Sequence, residues 1–504
     1  MSTVREHLAG SIFPRLNCRP FLQDAAYSAT IRGLIHDEVV GGFVLFDGNA
    51  NDARETASQV QELAQGTLLL AADCEDGITM RFPGGTEFPS MMALGAANDL
   101  SVTYTVAQSI ADEMRELGIL WNFAPVADIN TNPDNPIINI RAFGGTPKLV
   151  EEHVVAYLRG TQDRGVAACA KHFPGHGDTS LDSHRELPSL PFDAKRLWQV
   201  ELRPFAEAVR CGVRSIMSSH VAVPAIDPSG APASLSPMLT ERLLRHELGY
   251  DGVIVTDALD MHAVTKGWSD GEASVLAYLA GNDVLETMPD PRATLEALCH
   301  AAESGRISAK RIAQTTERLA SLRQWIDSKA NAPHSTPQSR GLYALEAARR
   351  SLQVRGEFAH PGAPLFVLGF TDTLDNPKPE EWFLYFSSWY PEDADVAVVT
   401  REVSAKDQAE IRKKIEGAGG LLLALFVKPR GYAGTVGLSN DQMELLRDLP
   451  LRPTALLNFG NPYLLTDIEA TLRIDAFSAS SPSLAASIEY LSRAHSDLRP
   501  HRQG

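Results

Sequence analysis

The stretch Lys171-His-Phe-Pro-Gly-His-Gly-Asp-Thr179, continued by Asp182-Ser-His184, holds three histidines, one lysine and two aspartates within fourteen positions. Glycine and proline interleave them, a composition for a loop that presents chemistry. Asp182 and His184 are two residues apart, so in an extended segment they face the same side and can touch. A carboxylate on one ring nitrogen fixes the imidazole tautomer and leaves the other nitrogen to exchange a proton near neutral pH. The competing reading is a surface Asp-His pair. His172, His176, Asp178, Asp182 and His184 also offer ligands for zinc or manganese. No His-Glu-x-x-His pair is present, however, and Lys171 would set a positive charge beside the cation, so no metal and no organic cofactor is expected.

Other candidates lie at the ends of apolar runs. Asp257 follows three β-branched residues and a threonine, a position that aims a carboxylate from a rigid element and suits a nucleophile. It equally suits the cap of the next helix or a lysine partner. Lys171 and His172 close the run 166–170 and can donate to hydroxyls, while His176 can face a ligand or brace its loop. Asp73 and, eight residues on, Arg81 pair a carboxylate that accepts two hydrogen bonds with a forked donor, a way to grip a sugar edge. Arg141 is a further donor. Taken singly, each of these is an ordinary salt-bridge partner.

These residues need a scaffold. From 40 to 290, short β-branched runs alternate with longer amphipathic segments, the rhythm of βα units. Strands are expected at 42–46, 68–73, 121–128, 168–172, 215–220, 253–257 and 283–286. Several end on an ionisable residue, which in a (β/α)8 barrel puts Asp73, Asp128, Lys171, His172, His220, Asp257 and Glu286 around one mouth. The rival, a doubly wound open sheet, lacks its glycine-rich fingerprint here. Helices are expected over 291–304 and 308–327, with Ser308 as N-cap. The expected domains are a barrel over 1–328, a polar, proline-containing linker at 329–340 and a smaller flavodoxin-like α/β domain over 341–504.

Composition narrows the function. The 504 residues are 44% hydrophobic and 22% charged, as in ordinary globular proteins, and the net charge of -17 disfavours nucleic acid or an anionic membrane as partner. The five cysteines are scattered without a Cys-x-x-Cys, which suggests free thiols. No apolar leader opens the sequence and the run 421–427 is too short to span a bilayer, so the expected location is cytoplasmic.

Five motifs together resemble glycoside hydrolase family 3, in its β-N-acetylglucosaminidase branch. They are the 171–184 stretch, Phe123-Ala-Pro-Val-Ala-Asp128, Pro232-Ala-Ser-Leu-Ser-Pro237, Leu248-Gly-Tyr-Asp-Gly-Val-Ile-Val-Thr-Asp257 and Ala280-Gly-Asn-Asp283. The resemblance spans about 30–325, and beyond 340 it weakens to alternating strands and Asn461-Pro-Tyr463, similar to the family's α/β sandwich domain. It implies that Asp257 is the nucleophile, His184 the general acid/base and Asp182 its partner. By the same resemblance Asp73, Arg81, Arg141, Lys171 and His172 hold the terminal sugar. The family's usual glutamine after the sugar-binding aspartate is Cys74 here, Asp76 replaces a glycine, and Ala258 replaces a second aspartate after the nucleophile.

The implied reaction is retaining hydrolysis of N-acetyl-β-glucosaminides, with muropeptides or chitooligosaccharides as substrates and a place in cell-wall recycling. Three alternatives stand beside it: phosphorolysis, since a neutral imidazole base does not repel phosphate, β-glucoside hydrolysis, and a non-catalytic sugar-binding protein.

Overall fold

The computed structural model describes residues 2–65, 68–179, 187–261, 264, 267–358, 364–373, 375–390, 394–428, 437–447 and 449–498. Asp182 and His184 lie outside the described residues. The chain groups into two compact units, one of Met1–Thr86, Leu100–Ile138 and Ala142–Arg340, the other of Glu87–Asp99, Asn139–Arg141 and Gly341–Gly504.

The first unit is built on parallel strands: β1 Ile12–Phe13, β2 Arg15–Asn17, β3 Gly42–Phe46, β4 Leu69–Ala72, β5 Trp121–Asn122, β6 Ala167–Phe173, β7 Ser215–Ser218, β8 Val253–Thr256 and β9 Leu285–Glu286. Strands β2 to β8 pair in chain order without a reversal, whereas a doubly wound sheet reverses at a switch point. β1 pairs with β9, and a bridge from Val255 to Val284 joins β8 to the approach of β9. The result is a mixed α/β unit around a curled parallel sheet.

Both the length and the ends of these strands follow from their residues. Apolar side chains of Phe13, Val44, Leu69, Ala71, Trp121, Phe123, Ala167, Met217, Val253 and Val255 form one buried cluster, which Leu319, Leu322 and Ile326 of the helix Ala309–Ser328 join. Ser308 caps that helix, accepting from the Arg311 N–H. The strand expected over 121–128 stops at Asn122. Pro125 has no N–H to give a ladder, so the segment runs beside β6 through single bonds, with Lys171 N–H donating to the Pro125 carbonyl at 3.1 Å and Ala127 N–H to that of Lys171 at 2.6 Å.

The second unit carries a six-stranded sheet. Its strands are β10 Gln353–Gly356, β11 Leu365–Phe370, β12 Ala394–Val399, β13 Gly420–Leu425, β14 Ala455–Asn458 and β15 Leu472–Asp475. Their order is β10-β15-β14-β13-β11-β12, parallel except where β10 meets β15. Alternate residues of β11 feed opposite faces: Leu365 and Val367 pack with Trp382 and Phe386, whereas Phe366, Leu368 and Phe370 pack with Ile411 and Ile415. A sheet covered on both faces explains the continuous apolar runs. The helix Pro337–Ser351 begins inside the stretch expected to be linker. Residues 87–99 also belong to this unit, through Lys378 to Glu87 at 2.7 Å and Arg350 to Asp99 at 2.6 Å.

All five cysteines are free. Burial pushes the Cys18 and Cys169 thiols up to about 12, which keeps them inert.

Candidate active site

The carboxyl ends of β4, β6 and β8 bring the sequence candidates together. Asp73 is the first residue past β4, and Lys171 lies in β6, whose seven residues are all buried. Lys171 Nζ is 2.7 Å from Asp73 Oδ1 and 2.7 Å from Glu75 Oε1, and Arg81 Nη2 donates to Asp73 Oδ2 at 2.9 Å. Burial alone would raise the Asp73 carboxyl, but the Lys171 and Arg81 charges outweigh it and hold it well below the usual carboxylate range. Glu75 was missed by the sequence reading. Glu75 stands two residues beyond Asp73, on a turn pinned by the Tyr157 hydroxyl, which shares its proton between the carbonyls of Cys74 and Glu75 at 3.1 and 2.9 Å. Asn122 holds the same turn, bonding both the N–H and the carbonyl of Cys74 at 3.1 Å.

A second group forms around Asp128, which is buried. It accepts from His172 Nδ1 at 2.7 Å, from the His172 backbone N–H at 3.2 Å and from the His176 backbone N–H at 2.7 Å. Burial opposes the Asp128 charge, yet the neighbouring His172 and His176 lower its carboxyl overall. An ionised Asp128 sets Nδ1 as the protonated nitrogen of His172. Of the two readings of His176, the contacts are those of a brace: Nδ1 meets Thr179 Oγ1 at 2.7 Å and its carbonyl accepts from Asn135 at 2.8 Å. Burial holds this imidazole down at about 4, so it is neutral at physiological pH.

Two glycines let the loop follow this path. Gly175 has φ +128, and a Cβ on Gly177 would stand 1.9 Å from the Ile129 carbonyl oxygen. Asp178 is tied to Arg196 at 3.1 Å. Among the described residues, no three His, Cys, Asp or Glu side chains are grouped as ligands for a metal.

Asp257 is the first residue past β8. Its N–H donates to the Ser218 carbonyl at 2.8 Å and its Oδ1 accepts from the Ala258 N–H at 2.8 Å. Asp73, Glu75, Asp128 and Glu286 are all buried, whereas Asp257 is partly exposed. Glu286, at the end of β9, accepts from the Thr287 hydroxyl at 3.2 Å through Oε1, and its Oε2 has no hydrogen-bond partner among the described residues. Burial, with the negative charges of Asp73 and Asp257, raises its carboxyl well above the usual range. Arg141 ends the short turn Asn139–Arg141, which groups with the second unit. No helix among the described residues is long and apolar enough to cross a membrane.

The site thus combines a partly exposed, oriented carboxylate with charge-paired donors and acceptors, the group types that can bind a polyhydroxylated ligand. The chain is similar to proteins named for action on carbohydrates. The solved structure of a glycoside hydrolase family 3 β-N-acetylglucosaminidase from Paenibacillus sp. str. FPU-7 is 31% identical, with a TM-score of 0.86 over 97% of this chain and 96% of that one. β-Hexosaminidase A of Pseudoalteromonas piscicida is 33% identical over 364 residues, 64% of this chain, and the match spans only 60% of that relative's length. A β-hexosaminidase of Hydrogenovibrio crunogenus is 32% identical over 288 residues, 55% of this chain and 80% of the relative. The family model for the glycosyl hydrolase family 3 N terminal domain matches residues 13–322. That match takes in every strand from β2 to β9 and more than half of the sequence, and the chain belongs to glycosyl hydrolase family 3.

Proposed function

We propose that the chain is a retaining glycoside hydrolase that releases terminal N-acetylglucosamine from β-linked substrates, of the muropeptide or chitooligosaccharide class. The observation that carries this reading is the contrast between Asp257, partly exposed and oriented by the Ala258 N–H, and the buried carboxylates beside it. Asp257 attacks the anomeric carbon and forms a covalent glycosyl-enzyme while the leaving oxygen takes a proton from His184. His184 then draws a proton from water, whose oxygen displaces Asp257 and frees the sugar. Asp182 orients that imidazole, a role carried by sequence alone. Lys171, His172, Asp73 and Arg81 bind the sugar hydroxyls, and Arg141 is assigned with them on sequence grounds. The fold reading extends likewise: β1 and β2 act as one strand bent at Pro14, which makes the first unit an eight-stranded (β/α)8 barrel, and the second unit is a flavodoxin-like domain reached through the 329–340 linker.

Turnover of an aryl N-acetyl-β-glucosaminide tests the reading. Asp257→Ala lowers kcat by roughly 10³-fold or more, and retention of a tenth of wild-type activity removes Asp257 as nucleophile. Sugar 1-phosphate among the products in phosphate buffer transfers the second step from water to phosphate.

A further inference from the structure

Three of the sequence motifs meet just behind Asp257. His220 is fully buried, with Nε2 2.8 Å from the Ala258 carbonyl oxygen and Nδ1 2.7 Å from Ser234 Oγ. A carbonyl only accepts, so Nε2 carries a proton, and Nδ1 shares a hydrogen bond with the Ser234 hydroxyl. Ser234 belongs to the 232–237 motif and is itself fixed: its N–H donates to the Ser219 carbonyl at 3.0 Å, and its carbonyl accepts from Asn282 Nδ2 at 2.8 Å. Asn282, from the 280–283 motif, accepts from Ser218 Oγ at 2.6 Å at the end of β7. Residue 258 is thereby clamped at both ends, its C=O on His220 and its N–H on Asp257 Oδ1 at 2.8 Å.

We propose that His220, oriented by Ser234, is a positioning residue for Asp257: by clamping residue 258 it holds the carboxylate at the angle from which it attacks the anomeric carbon. This rests on Asp257 as nucleophile. The chain of bonds runs from β7 through buried side chains to the reacting carboxylate, so its stiffness is transmitted to the one group that must be aimed. Removing the imidazole leaves the Ala258 carbonyl to the Met261 N–H at 3.2 Å, which loosens residue 258 and lets its N–H turn away from Oδ1, so that Asp257 is misaimed and the stabilisation of its anion is weakened. Among the described residues, Glu286 on β9, His176 beyond β6 and Asp260 on its own loop interact electrostatically with Asp257, His220 acts on Asp260, and Asp73 and Lys171 act on Glu286. None but His220 touches residue 258 through a hydrogen bond described above.

The test compares His220→Leu, His220→Gln and Ser234→Ala on an aryl N-acetyl-β-glucosaminide. Glutamine places an amide N–H at about the reach of Nε2. His220→Leu is expected to lower kcat by about 100-fold with KM changed by less than about threefold, and to move the acid limb of kcat/KM to higher pH. His220→Gln should recover about tenfold of that loss and return the acid limb, and Ser234→Ala should lower kcat by roughly three- to tenfold. If His220→Leu does not fold, the other two variants are judged by the same split and the same limb. The inference falls if His220→Leu keeps kcat within about threefold of wild type, or if Gln is as impaired as Leu with the acid limb unmoved in both. Wild-type inactivity, or an active Asp257→Ala, removes the proposed function and this inference together. An active wild type with an inactive Asp257→Ala and an unaffected His220→Leu removes the inference alone.

Discussion

Replacing Lys171 with methionine keeps most of the side-chain volume and removes a cation that touches both Asp73 and Glu75. The Asp73 carboxyl, held at about 2 by Lys171 and Arg81 against its burial, carries ~2 kcal/mol of stability relative to an ordinary aspartate. Lys171 supplies the larger part of that, and loss of its 2.7 Å pair with Glu75 adds to the cost. The sum, ~3–4 kcal/mol, lies in the range for breaking a buried pair and leaving charge behind. The sign with pH is fixed by the direction of the shift. A depressed carboxyl contributes fully above its unfolded pKa and loses its contribution only as pH falls towards 2, so between pH 7 and 5 the wild-type term is constant. In Lys171→Met, Asp73 keeps Arg81 at 2.9 Å, but the two carboxylates lose the cation between them, and one of them takes up a proton within that window, relieving the repulsion. Chemical denaturation followed by tryptophan fluorescence should therefore show a deficit of ~3–4 kcal/mol at pH 7 that shrinks by at least about a third at pH 5. A deficit below about 1 kcal/mol, or one equal at both pH values, refutes the reasoning.

Two further predictions separate neighbouring groups by the sign of their pH dependence. His176 is held neutral down to about 4, so the unfolded chain binds its proton first as pH falls below about 6.5, and up to ~3 kcal/mol of stability is lost between those values. His176→Asn should flatten that part of the denaturation profile, and an unchanged slope counts against a buried neutral ring. Glu286 has a raised carboxyl, so the folded state is penalised once pH exceeds the unfolded value. Glu286→Gln should gain stability at pH 7 and none at pH 4 in the same assay, whereas a gain at both would assign the effect to packing.

How much of this was legible from residues alone differs by element. The ends of β4 and β8 were readable because an aspartate stops each apolar run, and the N-cap at Ser308 announced its helix. β1 and β2 were not, since two- and three-residue strands split by Pro14 carry no alternation to detect. Lys171 was marked as a donor, yet its partner Glu75 was passed over, because an ion pair 96 positions apart in sequence leaves no local trace. The grouping of residues 87–99 with the second unit rests on partners such as Lys378 and Phe477, which local propensity cannot reveal. The clamp on residue 258 was spread over three motifs, each visible, whose common purpose is a matter of hydrogen bonds between them.

The pairing of β1 with β9 also sets a schedule for synthesis. Ile12 and Phe13 leave the ribosome long before their strand partners Leu285 and Glu286, and the cluster around Phe13 is completed only by Ile326. At ~5–20 residues per second, the first strand waits ~15–60 s for its mate. Through that interval it is an apolar edge with open backbone groups, the kind of segment that pairs with the wrong neighbour. The nascent chain is thus most in need of chaperone cover at β1, for as long as the last third of the first unit is still being made.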